Sequence, residues 1–137
     1  MKVKFIIIIF SQMLFSKELY YYQNNKKVYL YPIENNIEKR VVSNGLNKIK
    51  YYKTSKNIKV GISTKIIIKF VKNADINKII DKYKIKIEKK LTDSIYVVSV
   101  NDFSETIKVA NRLYEDKNIV YAHPDFIKKI NKRWKLF

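Results

Sequence analysis

The stretch NIVYAHPDFIKKINKRW, residues 118–134, holds the one histidine of the chain, His123, two residues before Asp125. An imidazole beside a carboxylate could begin a hydrolytic triad, since side chains two apart on an extended segment point the same way. A triad also needs a nucleophile activated by the histidine, with the acid orienting the other ring nitrogen. No Gly-x-Ser-x-Gly elbow accompanies the pair, and the only glycines are Gly45 and Gly61. The same scarcity argues against phosphate-cradling loops. Without cysteine there are no disulfides, thiolate zinc sites or cysteine nucleophiles, and with one histidine a metal site would have to be mostly carboxylate. No such cluster stands out. His123-Pro124-Asp125 therefore reads as the end of a strand; no catalytic residue, metal or cofactor is expected.

The 137 residues suffice for one ordinary domain with an appendage, and 47% hydrophobic residues can furnish a packed core. The net charge of +17, from 29 basic and 12 acidic residues, would suit a polyanion, an anionic membrane or an acidic protein. The lysines are nevertheless spread along the whole chain instead of forming one block, which favours a diffuse compositional bias over a dedicated polyanion site.

The N-terminal MKVKFIIIIFSQMLFS combines two lysines, an apolar run and a small residue at Ser16. That is the pattern of a secretory signal peptide over 1–16, too short to span a bilayer. Export to the periplasm or beyond is expected, with no stable membrane span once the signal is removed. A buried N-terminal strand is the alternative.

Residues 17–62 are rich in tyrosine and asparagine. ELYYYQ and KVYLYP flank the turn-prone NNK and predict a hairpin, NIEKRVVSNGLNK supplies turn signals, and IKYYKT and IKVGIS predict further short strands. Residues 63–126 have a clearer pattern. TKIIIKFV (64–71) alternates as a strand; DINKIIDKY (75–83) spaces Ile76, Ile79, Ile80 and Tyr83 as an amphipathic helix. IKIEKKL (85–91) and IYVVSV (95–100) predict two more strands. SETIKVANRLYED predicts a second helix, with Asp102 and Glu105 spaced as a capping box and an apolar face of Ile107, Ala110 and Tyr114 flanked by Val109 and Leu113. NIVYA (118–122) is the last strand. The order is β-α-β, β-α-β, which right-handed crossovers turn into an α+β, ferredoxin-like sandwich with both helices on one face. Residues 127–137 form a basic tail.

If Ile66, Ile68, Phe70, Val98 and Val100 face the helices, then Ile67, Val71, Ile95 and Val97 face away. A half-apolar face without a helix is either a docking surface or is covered by the N-terminal hairpins.

The segments KIIIKF, KYKIKIEKKLTDSIYVVSV and ETIKVANRLYEDKNIVYAHPDFIKK resemble the N-terminal prodomains of subtilisin-like serine proteases, especially the fervidolysin-like group, over about residues 20–133. The resemblance implies a small α+β propeptide that serves as intramolecular chaperone and temporary inhibitor, its sheet packed on a subtilisin-like catalytic domain. It implies that Ile67, Val71, Ile95 and Val97 belong to the docking face, and that Phe126, Ile127, Lys128, Lys129 and Ile130 approach the substrate cleft as an extended strand. The chain ends at NKRWKLF with no catalytic domain in view, so a free-standing inhibitor or helper, or the front part of a split precursor, is expected, and no peptidase activity.

Two other classes compete. An RNA-recognition module would need paired aromatics on the central strands beside a glycine, and Tyr96 and Phe70 stand on strands without glycine. An envelope-facing role would need a distinct interfacial helix, which the short helices with mixed polar faces do not offer. Neither nucleic acid nor lipid is the expected partner.

Overall fold

The computed structural model describes residues 18–42 and 45–128. Within them run strands β1 (Tyr20–Gln23), β2 (Lys26–Val42), β3 (Gly45–Thr54), β4 (Lys59–Ile62) and β5 (Lys65–Phe70), helix α1 (Ile76–Tyr83), strands β6 (Lys86–Lys90) and β7 (Ile95–Ser99), helix α2 (Thr106–Tyr114), and strands β8 (Ile119–Pro124) and β9 (Ile127–Lys128). The chain is an α+β protein with two antiparallel sheets, ordered β1-β2-β3-β4-β9 and β6-β7-β5-β8.

Strict alternation makes β5 the centre of the four-stranded sheet. Ile66, Ile68 and Phe70 are at most 2% exposed, while Lys65, Ile67 and Lys69 on the other face are half-buried. The buried set packs with Tyr96, Val98 and Val100 from β7 and its end, Ile79 from α1, and Val109, Ala110 and Leu113 from α2. This core contains most of the residues whose spacing predicted it; of the expected α2 face, Ile107 goes to a second core and Tyr114 is only partly buried. The Asp75 side chain accepts a hydrogen bond from the Lys78 amide at 3.2 Å and so starts α1; Lys84 closes it at a left-handed φ of 53°. Asp102 also caps, but it serves a 3-10 turn over Phe103–Glu105, and α2 begins one residue later at the buried Thr106. The Thr106 hydroxyl donates to the Ser63 carbonyl at 2.7 Å, which satisfies both groups away from water. At the outer edge β6 is exposed throughout and carries Lys86, Lys89 and Lys90, charges that discourage further strand addition.

The N-terminal region is more extended than its turn signals suggest. Asn24 and Asn25 both take positive φ, 50° and 61°, as a two-residue type I′ hairpin turn requires, and Gln23 pairs with Lys26 across it. NIEKRVVSNGLNK, expected to be turn-rich, instead contributes to two strands: Ile37 to Val42 of β2 pair with Lys50 back to Gly45 of β3. The β-branched Ile37, Val41 and Val42 favour the extended state over the isolated turn residues. Pro32 is accommodated beside a register shift between Pro32 and Ile37, where a missing amide interrupts little. The second core gathers Tyr21, Leu30, Tyr52, Val60 and Ile62 from this sheet around Ile107 of α2. Helix α2 thus lies between the layers, giving Ile107 to one core and Val109, Ala110 and Leu113 to the other.

Candidate functional site

The face of the four-stranded sheet turned away from the helices is built by register. Ile67 lies opposite Val97 on one side and His123 on the other; Lys69 lies opposite Ile95 and Tyr121; Lys65 lies opposite Ser99. Three of the four residues expected on a docking face, Ile67, Ile95 and Val97, are thereby brought together. Ile67 and Ile95 are half-buried, Val97 is 9% exposed, and none of the three belongs to either core. Val71 is displaced from them. It follows the end of β5, where its amide donates to the Asn118 carbonyl at 2.9 Å, and it lines a cleft of about 490 Å³ with Phe70, Ser94 and Val120.

The tyrosine-rich sheet packs elsewhere. Tyr22 stacks on Tyr114 of α2 with centroids 4.2 Å apart, the Asn111 side-chain amide donates to the Tyr20 carbonyl at 2.7 Å, and Tyr114 hydrogen-bonds Asn25. These contacts hold β1 against the outward side of α2.

Lysines frame the apolar centre. Lys89 pairs opposite Val97 and Lys86 opposite Ser99, and the Ser99 hydroxyl donates to Glu88 at 2.6 Å. The result is a pleated surface with a short isoleucine–valine strip and a basic border. Such a surface is suited to bind another polypeptide by apolar contact, with charge setting orientation.

The tail does not project freely at its start. Phe126 is half-buried against Tyr21, with ring centroids 4.5 Å apart, and Ile127 and Lys128 form β9, opposite Gly61 and Val60 of β4. Gly61 makes this approach possible: a Cβ there would lie 2.8 Å from Ile49 Cγ2, 2.9 Å from Tyr51 Cε1 and 3.3 Å from Ile127 Cβ. Lys129, Ile130 and the segment read as a signal peptide lie outside the described residues.

His123 is held differently from a triad histidine. Its Nδ1 sits 3.0 Å from the Pro124 carbonyl, so the proton resides on Nδ1 when that bond is made, and no hydrogen bond joins the ring to Asp125. The ring instead forms part of an aromatic run, 5.7 Å from Tyr121 and 6.3 Å from Phe126 in nearly parallel planes, that continues to Tyr21. Sequence reasoning missed this run, although the i, i+2 spacing of Tyr121 and His123 on a strand was a usable signal. Among the described residues no three acidic or histidine side chains cluster as a metal site, and no helix is long and apolar enough to cross a membrane.

The strongest polar constellation lies on the helix side. The Tyr83 hydroxyl donates to Asp116 at 2.6 Å, the Asn118 amide donates to the same carboxylate at 2.9 Å, and Lys82 pairs with it at 3.4 Å. The Tyr83 hydrogen bond, chiefly, holds the Asp116 carboxyl below the usual range; burial and the neighbouring carboxylate push the Tyr83 phenol up to about 12. This cluster ties the end of α1 to the turn after α2 and is structural in character.

No family model, curated protein or solved structure matches this chain.

Proposed function

We propose that this chain is a non-catalytic, exported, propeptide-like module that chaperones or inhibits a subtilisin-like serine protease. The β-α-β-β-α-β order, with β5 and β7 central and both helices feeding one core, is what a ferredoxin-like propeptide sandwich would use. The observation that carries the reading is the partial exposure of Ile67 and Ile95 beside Val97 on the sheet face turned away from the helices. Ile67, Ile95 and Val97 would meet apolar residues on the surface of the protease domain, and the lysines around them would set the orientation.

The segment from Phe126 onward would enter the substrate cleft as an added strand, through main-chain hydrogen bonds with alternate side chains in pockets. In the free chain Ile127 and Lys128 already occupy the edge of β4. Engagement would therefore exchange a two-residue strand for a longer intermolecular one, with Phe126 leaving Tyr21. The ladder given up is short, so the exchange is cheap on the scale of a protein interface.

The test mixes the purified signal-free chain with a subtilisin-like protease from the same source. Peptide hydrolysis should fall in a dose-dependent way, and the refolding yield of the denatured catalytic domain should rise. Unchanged hydrolysis together with unchanged yield would falsify the proposal.

A further inference from the structure

The five-stranded sheet is curled. Its first strand and the residue before its last strand meet through Tyr21 and Phe126, and Ile107 of α2 fills the concave side. At one end of this roll lies an open cavity of about 640 Å³, within the range of small-molecule sites, where the β1–β2 turn, the β3–β4 loop and the end of β8 converge. Tyr21, Val28, Val60 and Phe126 give it an apolar wall; Lys26, Lys27 and Lys56 also line it, and no carboxylate does. None of the three makes an ion pair among the described residues, and Lys27 lies over the Tyr20 ring at 4.5 Å. Thr54, whose Oγ1 accepts from the Ile58 amide at 3.3 Å, still has a hydroxyl proton to donate.

We infer that this cavity is a binding site for a small organic anion with a flat apolar body, the class of an aromatic carboxylate. The apolar wall takes the ring system. The ammonium groups of Lys26 and Lys56, without an ion pair among the described residues, take the carboxylate, a pairing that a neutral or cationic molecule of the same shape cannot make. Concave shape and an apolar, aromatic wall with a few polar groups are general features of small-molecule sites. The cavity includes none of Ile67, Ile95 or Val97, but it shares Phe126 with the tail of the protease reading, so it exists in the free chain, where Phe126 rests on Tyr21.

Calorimetric titration of the signal-free chain with three probes of one shape tests it: 2-naphthoate, 2-naphthol and 2-naphthylmethylammonium. Naphthoate should bind saturably and more tightly than naphthol, the ammonium should not bind, and added salt should weaken the naphthoate complex. Amide shifts on naphthoate addition should centre on Val28, Ile58, Val60 and His123. The double variant Lys26→Gln, Lys56→Gln, at exposed positions that leave the fold intact, should lose roughly tenfold in naphthoate affinity and little for naphthol. Equal affinity for anion and cation overturns the site, as does an undiminished affinity in the double variant. Shifts centred on the outer face of the four-stranded sheet also overturn it.

Discussion

Tyr21 and Phe126 lie with ring centroids 4.5 Å apart, joining the first described strand to the residue that precedes the last described one. The contact joins residues more than a hundred positions apart in the chain, and it stands directly before the two residues that pair with β4. Aromatic pairs contribute about 0.5–1.5 kcal/mol beyond their area burial, enough to bias a two-residue strand toward the closed state.

Phe126→Ala should open that latch. Hydrogen exchange at the Ile127 and Lys128 amides should accelerate while β5 and β7 remain protected, and global stability should fall by about 1–3 kcal/mol, less than for a fully buried phenylalanine. Unchanged exchange at Ile127 would show that β9 is held by β4 alone.

Ile67→Glu addresses the docking face. The side chain is half-buried between Lys65 and Lys69 and belongs to neither core, so the melting temperature should change little. Inhibition of the partner protease should weaken roughly tenfold or more, since a carboxylate would be desolvated in an apolar contact. A stable variant that inhibits as well as the parent would place the docking surface elsewhere.

Gly61→Ala should destabilise the curled sheet by about 1–3 kcal/mol in urea titration, because the new methyl would meet Ile49 and Tyr51 inside ordinary contact distance. Both neighbours are almost fully buried and have little room to yield. A neutral outcome would mean that β4 can shift away from β3 without cost.

The Tyr83–Asp116 hydrogen bond limits stability on both sides of neutrality. Asp116 has a depressed folded pKa, so its contribution is complete above the ordinary carboxylate value and is lost as pH falls through the lower folded value. The Tyr83 phenol has a raised folded pKa, about 12, so its contribution is complete below the ordinary phenol value of 10.0 and is lost as pH rises from there toward about 12. Asp116→Asn should flatten the acid limb of a stability–pH curve, and Tyr83→Phe should lower the plateau and blunt the alkaline limb. Chemical denaturation across the pH range measures both; curves parallel to that of the parent would deny the pair this role.

The elements of residues 63–126 were legible because each is announced by local periodicity. Alternation in KIIIKF separates Ile66 and Ile68 from Ile67, the spacing of Ile76, Ile79 and Tyr83 marks a helix, and Asp75 and Asp102 mark starts that hydrogen bonds to nearby amides then fix. The same logic assembled Ile67, Ile95 and Val97 on one face. It erred where a residue's environment is set by something distant. NIEKRVVSNGLNK looked turn-rich because Asn and Gly weigh heavily locally, yet pairing between β2 and β3 holds it extended. Val71 continued the β5 alternation on paper, but the strand ends first, and the residue lines a cleft instead.

What the sequence determined by itself was the order of the elements and the inward face of each, since both follow from repeats only a few residues long. The tertiary structure alone decided that α2 would serve two cores, that the tyrosine-rich sheet would pack on that helix while Ile67 and Ile95 stay partly exposed, and that Ile127 would return to Gly61. Those choices set partners far apart in the chain against one another, and their outcome depends on shape, curvature and the space a missing Cβ leaves, none of which has a period that can be read along the sequence.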